Sequence, residues 1–237
     1  MTFDDALKLA QDNGYAEKDP TADIEGFDAC RKVCILASLA FGKHVYPNQV
    51  RAEGITKITL EDVEYISSAD GVIKLLGQIK KLDDEKIAAF VSPAVVFHGS
   101  QLASVNGVFN AILVRGDAVG DVCFYGAGAG KLPTASAVVA DMVDCAVHVE
   151  RRKNFGWGAG AEDYVVDEKQ CLEMPFYVRA KASESEIVAR FNDVKFLTRQ
   201  GKPSNEVAFI TDSMTEASLD SKLAGIDVIN KIKVTNY

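Results

Sequence analysis

Long apolar runs are missing from this 237-residue sequence, and so is any excess of positive charge. No stretch approaches the ~20 apolar residues that span a bilayer, and Met1-Thr2-Phe3-Asp4-Asp5 carries acid where a secretory leader carries base. A cytoplasmic location is therefore expected. A net charge of −8, from 26 Lys and Arg against 34 Asp and Glu, leaves no basic face for nucleic acid or an anionic membrane. The longest basic run, Arg151-Arg152-Lys153, reads as a solvated linker. Five cysteines, an odd number without disulfide-like spacing, fit a reducing compartment. Cys30 and Cys34 lie four apart, but no second pair or nearby histidine completes a metal set, so they read as core. His44, His98 and His148 are scattered, none with an acid at triad-like or zinc-like spacing, and each reads as structural. With 48% hydrophobic residues, the chain has enough apolar material for one or two cores, and two domains are expected.

What the sequence does have is a dense cluster of carboxylates and one lysine between Gly14 and Lys32. Pro20 bars an α conformation at Asp19, so the chain should run extended there, with helical pattern resuming only near Gly26. On a helix from about Phe27 to Phe41, Asp28 and Lys32 are four apart and share one face, ~5–6 Å between Cβ atoms. Glu17 and Asp23 sit on the entering loop and can fold back over that face, giving three carboxylates around one ammonium. Such a set suits an amino-bearing substrate: the carboxylates take its ammonium, while Lys32 bonds an oxygen and donates a proton. Partial burial and the neighbouring acids would set the lysine's proton balance. Against this stands an ordinary exposed helix pair worth ~0.3–0.5 kcal/mol, which spacing alone favours.

The order of residues goes further than the spacing. Gly14-Tyr15-Ala16-Glu17-x-Asp19-Pro20-x-x-Asp23-x-x-Gly26-x-Asp28-x-x-x-Lys32 resembles the substrate-site signature of homoserine dehydrogenases. The resemblance continues through Ile35 to Gly42, Glu53-Gly54-Ile55, Ile58-Thr59, Asp62 and Ile73 to Leu76. It resumes at Leu102 to Ala111 and at Gly126 to Asp141, so residues 1 to about 150 are covered. It implies NAD(P)H-dependent reduction of L-aspartate 4-semialdehyde to L-homoserine, on the route to threonine and methionine. Carried over by that resemblance, Glu17 and Asp28 hold the substrate, Asp23 supports the site electrostatically, Lys32 is the proton donor and Gly130 touches the cofactor.

One part of the family pattern is not found. Gly126-x-Gly128 has Lys131 where a dinucleotide fingerprint needs its third glycine. A P-loop fails as well, with Tyr125 and Leu132 at its fixed positions. The run reads as a tight turn before a packed helix. The chain thus resembles the substrate-binding and C-terminal portion of the family, without its nucleotide-binding domain. NAD(P) is expected to serve the full enzyme and not to bind this chain tightly, and little activity is expected from the chain alone. NAD versus NADP is not readable. The alternative is a non-catalytic amino-acid-binding or regulatory protein derived from the same domain.

The expected fold class is α+β: a mixed sheet covered by helices over residues 1–150, a linker at 151–172, and a small βαββαβ domain at 173–237. An amphipathic helix from Met1 to Gln11, capped by Thr2, should pack under the site. A helix opened by Thr59 precedes strands at Val72–Ile79, Ile87–Val96 and Val108–Val114, read as one sheet with helices on one face. A hairpin then returns through Val122–Tyr125, and an apolar helix runs from about Thr134 to Val149. The resemblance implies that this helix packs against the family's nucleotide-binding domain, so its apolar face is here exposed, covered by another copy or covered by the C-terminal domain, and self-association is expected. Strands at Pro175–Ala182, Val194–Arg199, Glu206–Thr211 and Ile229–Thr235, with helices at Ser183–Phe191 and Glu216–Leu223, resemble an ACT domain. Lys181-Ala182-Ser183-Glu184-Ser185 replaces that family's Asp-x-Pro-Gly turn, so packing or dimerisation is as good a role as effector binding.

Overall fold

The structure, a computed structural model, describes residues 1–150, 154 and 156–235; the basic run Arg151-Arg152-Lys153 lies outside them. The first elements are α1 (Phe3–Asp12), α2 (Thr21–Ile24), α3 (Phe27–Phe41), β1 (Arg51–Ala52), α4 (Leu60–Ser68), β2 (Gly71–Lys81) and β3 (Ile87–Phe97). Next come β4 (Phe109–Gly116), β5 (Gly120–Ala127), α5 (Lys131–Val147), β6 (Val165–Val166), α6 (Glu168–Cys171) and β7 (Glu173–Met174). The chain ends with β8 (Phe176–Lys181), α7 (Glu184–Val188), β9 (Val194–Leu197), β10 (Val207–Thr211), β11 (Met214–Thr215), α8 (Glu216–Lys222) and β12 (Asp227–Val234).

By packing, the chain separates into two compact units, one of Met1–Asp19 with Gly99–Phe155 and the other of Pro20–His98 with Gly156–Tyr237. In the first unit, Thr2 caps α1 by accepting the Asp5 amide, with Asp4 and Asp5 in the first turn. No residue of α1 is buried. β4 and β5 pair antiparallel as a sheet of their own, from Phe109 opposite Ala127 to Gly116 opposite Gly120. Val108–Val114 was expected to join the main sheet, and it does not. α5 begins at Lys131, three residues earlier than expected, because Pro133 fits the first turn of a helix, where no backbone donor is needed. It too buries none of its residues, so the packed helix expected after the glycine run stands with its apolar side exposed.

The second unit is built around β3, whose residues Ile87 to Val96 are all buried. A continuous buried run means that both faces of the strand are covered. β2 pairs antiparallel along one edge from Gly71 to Lys81. The other edge is filled end to end by three parallel segments: β6 at Ile87–Ala88, β1 at Phe90–Val91 and β12 at Ala94–Val95. The sheet continues from β12 through β8 and β10 to β9. On one face α3 packs through Cys30, Val33, Cys34 and Ala37 against Ala89 and Val91, and α4 through Tyr65 and Ile66 against Val95. On the other, Ile187 of α7 and Leu219 of α8 pack on Phe176, Val178 and Phe209. Helices therefore cover two faces rather than the one expected.

Residues 176–234 follow the expected βαββαβ order, with strand order β12, β8, β10, β9. Ser183, in the segment that replaces the Asp-x-Pro-Gly turn, forms a capping box with Glu186 and opens α7. The stretch expected as a linker up to residue 172 carries β6 and α6, and Gly158 bridges to Lys43. Trp157 lies 5.8 Å from the His44 ring.

Candidate active site

The junction that holds the candidate residues begins with a helical turn the sequence reading did not anticipate. Pro20 stands at the N-cap of α2, so the chain turns helical at Thr21 instead of waiting for Gly26. Asp23 is exposed on α2, and its carbonyl accepts the Gly26 amide at 3.3 Å. Gly26 has φ 77°, and a Cβ there would meet Val91 Cγ1 at 3.2 Å. A left-handed backbone pressed against the sheet calls for glycine, and it turns the chain directly into α3.

α3 has the bounds expected. Val33 seats it closely on the sheet, since a Cβ on Gly77 of β2 would lie 2.3 Å from Val33 Cγ2. With Cys30, Val33, Cys34 and Ala37 facing inward, Asp28 and Lys32 point away from the core. Lys32 Nζ and Asp28 Oδ2 pair at 2.8 Å with side chains 63% and 44% exposed. Asp28 also sits in the first turn, where the helix dipole favours an anion. The partial burial expected for Lys32 is absent; its carboxylate partner is present.

Of the other candidates, Glu17 belongs to the first compact unit, while Asp23, Asp28 and Lys32 belong to the second. Glu17 is exposed, and its backbone carbonyl accepts a bond from Gln11 Nε2 at 2.9 Å. Gly130, also in the first unit, is the N-cap of α5 with φ 103°, and its carbonyl accepts the Thr134 amide and hydroxyl. The nearest atom to a Cβ built on it is Pro133 Cδ at 3.8 Å, so its conformation rather than crowding calls for glycine.

The loop after β1 holds α2 in place, and sequence reasoning gave it no role. Glu53 donates its amide to Val91 O at 2.9 Å and Ile55 donates to Ile24 O at 2.8 Å. Between them, a Cβ on Gly54 would fall 2.2 Å from Ile24 O and 2.5 Å from Glu25 Cα. Only glycine lets the loop approach α2 this closely. Thr56 Oγ1 adds a bond to Glu25 Oε1 at 3.3 Å.

Two buried polar clusters brace this unit. Asp62, fully buried, accepts from Arg179 Nη1, Tyr177 Oη and Asn230 Nδ2 at 2.8–2.9 Å. Burial first, then the Asp62 carboxylate, pushes the Tyr177 phenol far up. Burial and its bond to Glu206 likewise push Tyr65 up to about 12. The second cluster gathers Glu168 and Glu216 with Arg51, Lys231 and Lys233. As for the cysteines, Cys30 and Cys34 are core residues, and burial pushes the Cys34 thiol up to about 12, which makes it a poor nucleophile or ligand. No cluster of three or more His, Cys, Asp or Glu fit to hold a metal occurs among the described residues. Among the same residues, no helix is long and apolar enough to cross a membrane.

Comparison with known proteins places these features in a family. The sequence matches the homoserine dehydrogenase family over residues 1–143. It is 35% identical to the homoserine dehydrogenase of Neisseria gonorrhoeae over 249 residues, covering 98% of this chain and 57% of that protein. With that of Lactococcus lactis it shares 43% over 163 residues, covering 69% of this chain and 37% of the relative. Among solved structures, a homoserine dehydrogenase from Thiobacillus denitrificans superposes with a TM-score of 0.80 at 31% identity, over all of this chain and 59% of that one. The Staphylococcus aureus enzyme at pH 7.0 gives 0.79 at 32%, over all of this chain and 60% of that one. The chain thus spans between about a third and three-fifths of the length of these relatives.

Proposed function

Because this chain belongs to the homoserine dehydrogenase family, we propose that it supplies the substrate-binding portion of an enzyme that reduces L-aspartate 4-semialdehyde to L-homoserine. The family is one of NAD(P)-dependent oxidoreductases. The observation that carries the reading is the Asp28–Lys32 pair, exposed at the head of a helix whose other side is locked into the sheet. By the family resemblance Glu17 and Asp28 would bind substrate and Asp23 would add negative potential. Lys32 Nζ would donate a hydrogen bond to the substrate's aldehyde oxygen and serve as its proton donor.

The described residues do not make a dinucleotide cradle. Gly130 offers one turn at a helix start, without the close backbone approach that the fingerprint's glycines provide, and Lys131 occupies the third glycine's place. We propose that these 237 residues bind L-homoserine but do not turn it over unaided.

We read residues 1–150 as the substrate-binding and dimerisation portion, 151–172 as the connecting segment, and 173–237 as an ACT-like module, the last supported by its βαββαβ order. The exposed Val138, Val139, Met142 and Val143 of α5 support self-association. Calorimetric titration with L-homoserine, with Glu17→Ala and Lys32→Ala beside the parent chain and an NAD(P)-dependent oxidation assay in parallel, tests the central claim. Saturable binding that both variants lose, without turnover, supports it. Equal binding by parent and variants assigns the affinity to other residues.

A further inference from the structure

Arg51 opens β1, two residues before the loop that grips α2, and carboxylates from three parts of the chain surround its guanidinium. Nε stands 2.9 Å from Glu168 Oε1 as an ion pair off the hydrogen-bond line. Nη2 lies 3.5 Å from Glu216 Oε2 and 3.4 Å from Glu53 Oε2. Glu168 and Glu216 are the first residues of α6 and α8, and both are buried. Glu216 has three lysines besides, Lys169 and Lys231 at 3.0 Å and Lys233 at 2.8 Å. Glu168 has only Lys233 at 4.0 Å as a further described cation, so Arg51 is its close partner. A planar guanidinium presents its donors to several carboxylates in fixed directions, a geometry that a lysine's compact ammonium does not reproduce.

From Arg51 the contacts run on to the candidate site. β1 is registered on β3 through Arg51 opposite Phe90 and Ala52 opposite Val91. The next three residues are the loop itself, anchored by the Glu53 and Ile55 amides, with Gly54 pressed on Ile24 and Glu25. Ile24 closes the helix that carries Asp23, and after Glu25 at its C-cap Gly26 leads into the turn that carries Asp28. A shift of the guanidinium therefore moves a loop that has no slack against α2, because close-packed contacts transmit displacement rather than absorb it.

We infer that Arg51 is a positioning residue for the candidate site: the buried carboxylates at the heads of α6 and α8 hold its guanidinium, and through Glu53-Gly54-Ile55 it fixes α2 and the start of α3. The C-terminal helices thereby set the affinity for substrate. This rests on the reading of Asp23, Asp28 and Lys32 as substrate residues, and the test separates the two. Arg51→Lys is made in the 237-residue chain, with Lys169→Ala as the control, which removes one Glu216 partner and leaves the carboxylates around Arg51 in place. Amide hydrogen exchange at Ile55 and the L-homoserine dissociation constant are measured, and thermal melting checks that the fold is kept.

In Arg51→Lys, Ile55 is expected to exchange about tenfold faster or more and homoserine to bind about tenfold more weakly, while Lys169→Ala stays near the parent in both. Unchanged Ile55 exchange, faster exchange with unchanged affinity, or equal effects in Lys169→Ala would each overturn the inference. If the parent chain does not bind homoserine while Ile55 still responds to Arg51→Lys, the substrate reading falls and the mechanical coupling stands. Should Arg51→Lys fail to fold, Glu168→Gln removes the charge that holds Arg51 at nearly equal volume and is judged by the same outcomes.

Discussion

Lys32 contributes little to stability, since an exposed pair with Asp28 is worth at most ~1 kcal/mol. Lys32→Ala is therefore expected to leave the urea midpoint nearly unchanged while it removes homoserine binding; a large loss of stability would mean that the lysine is structural. Gly54 is the opposite case. Its missing Cβ is what lets the loop lie on Ile24 O, and Gly54→Ala should cost about 1–3 kcal/mol by chemical denaturation. A Gly54→Ala protein as stable as the parent would refute the tight approach. The acids and the lysine were legible in the sequence because their order follows a family signature. Arg51 carried no local signal: its partners Glu168 and Glu216 lie more than a hundred residues away, and nothing in the one-dimensional pattern joins them.

At the scale of elements, α3 and α4 could be read from the sequence because apolar spacing and caps agree, as with Thr59 and Asp62. α2 could not, because the restriction that Pro20 puts on Asp19 points to extended chain until near Gly26, whereas Pro20 itself, at an N-cap, opens a helix. The head of α8 gives a pH prediction. Burial works to raise the Glu216 carboxyl, but Lys233, Lys231 and Arg51 outweigh it and hold it below its usual 4.5. A depressed folded-state value means stability that is present above the unfolded-state value and lost as pH falls through the depressed one. Stability should therefore fall as pH drops below about 4.5. Glu216→Gln should flatten that limb while costing about 3–5 kcal/mol at neutral pH. Denaturation followed from pH 3 to 7 checks this, and an acid limb of the same slope in the variant contradicts it. Glu168 runs the other way: burial raises its carboxyl, so its contribution is lost as pH rises through the raised value.

For the molecule as a whole, no local pattern reveals that β6, β1 and β12 share one edge of β3, because those pairings join distant segments. The βαββαβ order was readable; its fusion into the sheet of residues 51–97 was not. The nearly continuous apolar run of β3, interrupted by Ser92, is a usable hint, since a strand without apolar–polar alternation has two covered faces. Self-association through α5 predicts a sedimentation coefficient that rises with concentration and falls to the monomer value in Val139→Asp/Val143→Asp; a parent chain that stays monomeric at high concentration contradicts it. The central claim, a substrate site carried on α2 and α3, is met most directly by calorimetric titration of the chain with L-homoserine beside Lys32→Ala. The account predicts saturable binding by the parent and none by the variant at unchanged stability. Failure of the well-folded parent to bind, or binding that Lys32→Ala retains, would contradict it.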